Sequence, residues 1–333
     1  MNNVKMKASF SAPLFASILY LLVLASDLLK DRLVSDSGND YLSVIIVQLL
    51  IFAIPSIVFC RMKGVGYSSK LNMRLISPGK LGCVITSSLA LIFGSVMIRL
   101  AQIYIFSVER FSHSVFESYI GRDTPYNFLF TVAAFAVIPA LTEEFVFRSI
   151  ILTEYNEGGY GAVNATVITS LLSAMLFFNL ESFPVRFFSS TVLCMLTYVT
   201  GSSLSAFICH LIFNIYTVFG EKYIVKALCD PSNKIISVFT FTLLFLILSL
   251  ITFGEFEHTL RQAGRSGAPS PSYLLKKTDD GKTPDISATE SEESDHPSKK
   301  VVSEKTRLTI EAFFSPSFLT CVLIFAIALI SLL

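Results

Sequence analysis

The stretch YNFLFTVAAFAVIPALTEEFVFRSIIL, residues 126–152, decides the fold. Its apolar residues run on without the alternation of a barrel strand, over more than the roughly 20 residues a helix needs to cross about 30 Å of hydrocarbon. An open sheet could not satisfy its backbone in lipid, so the segment reads as a transmembrane helix. Its only charges are Glu143, Glu144 and Arg148. A carboxylate near the middle of a membrane helix costs about 2.5 to 3.5 kcal/mol on insertion scales, so an acidic pair with no use should be depleted there.

Comparable runs recur on both sides: Ser9–Leu29, Leu42–Cys60, Cys83–Phe106, Gly161–Leu180, Val185–Val199, Ser203–Phe219, Ile235–Phe253 and Pro316–Leu333. The expected fold is an all-α, polytopic transmembrane helical bundle of about eight to nine spans. Composition agrees, since 53% of the chain is hydrophobic and 15% charged, beyond what a soluble core of 333 residues shows. The first span is long for a secretory signal and reads as an uncleaved anchor. Within the long run at 126–152, Pro139 can kink the helix and set Glu143 at mid-depth.

The net charge of +1 offers no argument for nucleic acid as a partner; the bilayer is the expected one. Lys5 and Lys7 precede the first span, and Arg61, Lys63, Lys70, Arg74 and Lys80 crowd the second connection, which predicts a cytoplasmic N-terminus. The six cysteines are scattered with no Cys-x-x-Cys spacing, suggesting neither disulfides nor zinc. The chain divides into N-terminal helices over 1–125, a central bundle over 126–254, a Ser-, Pro- and charge-rich tether over 255–311 expected to be disordered, and a last helix over 312–333.

Three polar groups punctuate the central spans, each with a four-residue step that sets two side chains on one helix face. They are Glu144 with Arg148, Phe177 with Glu181, and His210 with Asn214. Arg148 can neutralise Glu144, which makes a structural ion pair one reading. Glu143 lies about 100° around the helix and needs a separate partner. Two adjacent carboxylates in low dielectric are also the raw material of a general acid or base. His210 and Asn214, one turn apart, can act as a packing pair or offer two donors to an oxyanion.

These residues resemble the CPBP family of intramembrane endopeptidases, which includes CaaX prenyl proteases and bacteriocin-processing or immunity proteins of the Abi type. The family pattern is Glu-Glu-x-x-x-Arg, then Phe-x-x-x-His, then His-x-x-x-Asn or Asp. Glu143, Glu144 and Arg148 match the first motif, His210 and Asn214 the third, and Thr200-Gly-Ser-Ser-Leu204 is similar to the usual lead-in. The middle motif keeps Phe177 but has Glu181 where histidine is expected.

The resemblance implies a water-activating Glu143, a Glu144 held by Arg148, and an oxyanion stabilised by His210 and Asn214. It implies hydrolysis of a membrane-associated or prenylated-type peptide or protein substrate, in a bacterial plasma membrane or an equivalent bilayer. No cofactor is certain. Glu181 leaves three outcomes open: a carboxyl that stays protonated and donates, a divalent metal held by Glu143, Glu144, Glu181 and His210, or an inactive site in a retained fold. The alternative function is therefore a noncatalytic scaffold or immunity-type protein. A proton-coupled transporter is a third reading, without the broken-helix repeats that would support it.

Overall fold

A computed structural model of the chain describes residues 7–28, 40–64, 75–106, 127–228, 234–265 and 306–332. Lys5, Lys70, Arg74, Cys229 and the stretch of tether over 266–305 lie outside the described residues. Among those described, seven helices are long and apolar enough to cross a bilayer, and two shorter apolar helices accompany them. The chain is an integral membrane protein built as an all-α bundle. Its helices are α1 (Ala8–Leu28), α2 (Tyr41–Met62), α3 (Pro78–Phe106), α4 (Phe128–Glu157), α5 (Ala162–Met175), α6 (Phe183–Thr200), α7 (Ser203–Phe219), α8 (Glu221–Leu228), α9 (Lys234–Arg265) and α10 (Pro316–Leu332).

α4 is the axis of the site. Asn127 opens it, its side chain accepting from the backbone N–H groups of Leu129 (3.1 Å) and Phe130 (3.3 Å). Pro139 has no N–H for the turn before it, and that turn, Ala133–Val137, is wound as a π-helix. Carbonyls of the widened turn accept from neighbouring helices: Gln48 Nε2 of α2 donates to Ala134 O (3.2 Å), and Asn214 Nδ2 of α7 donates to Ala136 O (3.3 Å). A second π segment, Phe145–Ile151, follows the acidic pair. Glu143 thus sits near the middle of Phe128–Glu157.

The helix expected over Gly161–Leu180 ends at Met175. Residues 176–182 form a turn instead, in which Asn179 Oδ1 accepts from Ser182 N (2.9 Å) and Phe178 adopts φ 49°. Phe178 is held there by aromatic contacts with Tyr20 and Phe325, at ring separations of 5.6 and 6.4 Å. α6 and α7 are then joined by a tight reversal. Gly201 closes α6 in the left-handed region (φ 67°), and Ser202 caps α7 by accepting from Leu204 N (3.2 Å). This returns His210 toward α4.

α9 runs to Arg265, past the start of the expected tether, with Glu257 and Arg261 paired one turn apart along it. It lies along α3, where Cys83 Sγ and Thr259 Oγ1 are 3.0 Å apart. Gly94 of α3 makes room for two rings: a Cβ there would stand 2.5 Å from Phe188 and 2.8 Å from Phe245. At the other end of the tether, residues 306–313 are helical and are tied to the start of the chain. Glu311 accepts from Lys7 Nζ (3.0 Å), Ser9 Oγ (3.1 Å) and Tyr160 Oη (3.2 Å). α10 packs on α1, with Cys321 Sγ 3.1 Å from Ser17 Oγ, and turns Leu319, Leu323, Ile327 and Ile330 outward.

Candidate active site

α3, α4, α5, α6 and α7 enclose a polar cavity of about 60 Å³, room for several waters. α4 contributes Glu143 and Arg148, α7 contributes His210 and Asn214, α6 contributes Arg186 and Ser189, and α3 contributes Arg99. The spacing explains the convergence. His210, Phe213, Asn214 and Thr217 form one stripe of α7, and Arg186, Ser189 and Leu193 one stripe of α6.

The two carboxylates face different ways. Glu144 is fully buried behind the cavity, where its Oε1 accepts from Arg148 Nη1 (2.8 Å) and lies 2.6 Å from His210 Nδ1. Arg148 completes the knot through Nη2, which donates to the backbone O (3.2 Å) and Oγ (3.0 Å) of Ser190. Both donors meet Oε1 and hold the carboxylate in low dielectric, while its buried Oε2 has no hydrogen-bond partner among the described residues. With Nδ1 directed at Glu144, the imidazole is fixed in orientation and has Nε2 for other work. Glu143 instead lines the cavity at 7% exposure, among the charges of His210, Arg186, Glu144 and Arg148.

Four of the residues singled out in the sequence thus share one cavity, Glu143, Arg148, His210 and Asn214, with Glu144 directly behind. Glu181 is not brought to them. It is exposed on the turn before α6 and does not line the cavity; what faces inward is its backbone, whose carbonyl accepts from Gln102 Nε2 (2.6 Å) and Arg99 Nη1 (3.4 Å). The short helix α5 is the reason, because its end at Met175 places position 181 beyond the helical face that Ser173 presents to the cavity. The four-ligand metal set that included Glu181 is therefore not assembled, and the described residues hold no group of three or more His, Cys, Asp or Glu side chains placed to bind a metal. Three arginines on the cavity wall also make it a poor host for a cation.

Sequence reasoning missed Arg99, Arg186 and Glu221. Arg99 Nε pairs with Glu221 Oε1 at 2.9 Å, both side chains 4% exposed. The guanidinium of Arg186 lies 3.4 Å over the ring of Phe177. Both arginines stand in or at the edge of apolar runs, and that was the available signal.

A family model described as Type II CAAX prenyl endopeptidase Rce1-like matches residues 125–216, the stretch from the approach to α4 through most of α7. That match supports the CPBP membership that the motifs resemble. No curated protein and no solved structure matches the chain.

Proposed function

Taking residues 125–216 as a member of the CPBP family, we propose that the chain is an intramembrane endopeptidase that hydrolyses a peptide bond of a membrane-associated or prenylated-type substrate. The observation that carries this reading is the split of the acidic pair. Glu144 is committed to Arg148 and His210, while Glu143 points into a cavity with room for water.

In this reading Glu143 accepts a proton from a water in the cavity as the water oxygen attacks the scissile carbonyl. The carbonyl π pair moves onto oxygen, and donors on α7 meet the charge: His210 through Nε2 when protonated, Asn214 through the amide hydrogen not directed at Ala136 O. Glu144 holds the imidazole in place, as a carboxylate behind a histidine does in hydrolases. Collapse of the intermediate breaks the C–N bond, with the proton passing from Glu143 to the leaving nitrogen.

The test is cleavage of a peptide library, with and without a prenylated cysteine, by protein in nanodiscs. Wild type is expected to cut a subset and Glu143→Gln none of it. A wild type that cuts nothing, in a cell where Glu143→Ala changes no phenotype, favours the second reading, a noncatalytic scaffold on the same fold. The observation on that side is that the histidine of the middle motif is replaced by Glu181, whose side chain stays off the cavity.

A further inference from the structure

The cavity holds a guanidinium that no motif requires. Arg186 sits in the first turn of α6, at the mouth of the stripe that also carries Ser189 and Leu193. Its Cζ lies 3.4 Å from the centroid of the Phe177 ring, so the residue of the middle motif that is retained serves as a platform for it. It shares the cavity wall with Glu143, close enough to act on that carboxylate's charge.

On the same wall Arg148 pairs with Glu144 at 2.8 Å and Arg99 with Glu221 at 2.9 Å. Arg186 and Glu143 face each other's charge across the same space. The donors expected on α7 are also partly committed, His210 Nδ1 toward Glu144 and Asn214 Nδ2 toward Ala136 O.

We propose that Arg186 is a further catalytic residue, an electrophile that stabilises the oxyanion alongside His210 and Asn214. The inference rests on the peptidase reading above. During attack, Glu143 gains a proton from water, the water oxygen bonds to the carbonyl carbon, and the π pair becomes a negative charge on the carbonyl oxygen. Negative charge therefore leaves Glu143 and appears on the substrate, while Arg186 stays positive beside both positions. A fixed cation that meets the carbonyl oxygen more closely than it meets Glu143 favours the state with the oxyanion without reorganising. Arginine cannot exchange a proton here, so it supplies charge and two-pronged hydrogen bonding, and Glu143 alone moves the proton.

The experiment compares wild type, Arg186→Gln and Arg186→Lys in nanodiscs on a peptide that wild type cleaves. It adds two binding measurements: a phosphinate analogue of that peptide, which mimics the tetrahedral anion, and the intact peptide, with each Arg186 form made inactive by Glu143→Gln. Removing a positioned oxyanion donor lowers kcat by about 10²- to 10³-fold. Arg186→Gln is expected to lose kcat in that range with KM within about threefold, to lose phosphinate affinity by a similar factor, and to bind intact peptide as before. Arg186→Lys should recover part of the loss, because it keeps the charge without the fork. Equal kcat in wild type and Arg186→Gln overturns the proposal and leaves the peptidase reading standing. Loss of intact-peptide binding in both variants shows a structural role and also overturns it. A wild type that neither cleaves nor binds the phosphinate removes both.

Discussion

Replacing Arg148 by methionine should be the most destabilising single change at the candidate site. The guanidinium makes three hydrogen bonds, one to Glu144 Oε1 at 2.8 Å and two to Ser190, and neither its side chain nor that of Glu144 is more than 1% exposed. Without it, a fully buried carboxylate keeps only His210 as a partner. Breaking a buried pair by removing one partner costs about 3 to 5 kcal/mol. His210 remains 2.6 Å from the same oxygen as a hydrogen-bond partner, so the expected loss is at the low end, about 3 kcal/mol. Removing both charges, in Glu144→Gln with Arg148→Met, should return the protein to within about 1 kcal/mol of wild type, because a neutral amide carries a far smaller desolvation penalty than an unpaired carboxylate. The assay is reversible unfolding in mixed micelles with rising SDS mole fraction, followed by tyrosine fluorescence, since the chain has no tryptophan and 12 tyrosines. The double-mutant cycle is the decisive quantity. A loss below about 1 kcal/mol in Arg148→Met, or additive single effects, would refute the claim that Glu144 and Arg148 form a buried, mutually dependent pair.

Other expectations are independent of that one. Ser17→Cys should form a disulfide with Cys321 under mild oxidation, because the two side-chain atoms are 3.1 Å apart, and a protease site inserted in the tether would then leave the fragments joined until reduction. Failure to cross-link would contradict the docking of α10 on α1. Glu181→Ala should change the rate of cleavage by less than about threefold, since an exposed side chain off the cavity has no means of reaching the reacting bond. A collapse of activity would return Glu181 to the site. Chelation with EDTA should leave cleavage rates unchanged, because the wall sets three arginines around its one carboxylate, Glu143. An EDTA loss reversed by a divalent cation would overturn that view of the cavity.

The fold was legible because lipid admits few alternatives. Continuous apolar runs mark the helices, and nine were read near their observed places. What hydropathy could not register was local. The end of α5 at Met175 depends on Asn179 turning its side chain to Ser182 N, inside residues that remain apolar up to Leu180. The continuation of α9 through Glu255 to Arg265 depends on helix pairing between charged residues, which composition alone reads as tether.

At the site, the spacing rules worked where both partners lay on one helix. Glu144 with Arg148, and His210 with Asn214, share faces as a four-residue step requires. Glu181 failed for the reverse reason, since the same step counted from Phe177 runs through a turn. Arg99 and Arg186 went unread although each carries the signal that drew attention to Glu143, a charge within or beside an apolar run. Their partners, Glu221 and the Phe177 ring, lie on other elements, and a single sequence does not show which distant residues meet.

The central claim is that Glu143, and not its neighbour, activates the water. Its most direct test is the single-turnover rate of one identified cleavage for wild type and Glu143→Gln, both shown by binding to hold the same peptide. A positioned general base contributes about 10²- to 10⁴-fold, so the account predicts a loss of that size with peptide affinity kept. Cleavage by Glu143→Gln at a rate within about threefold of wild type would contradict it.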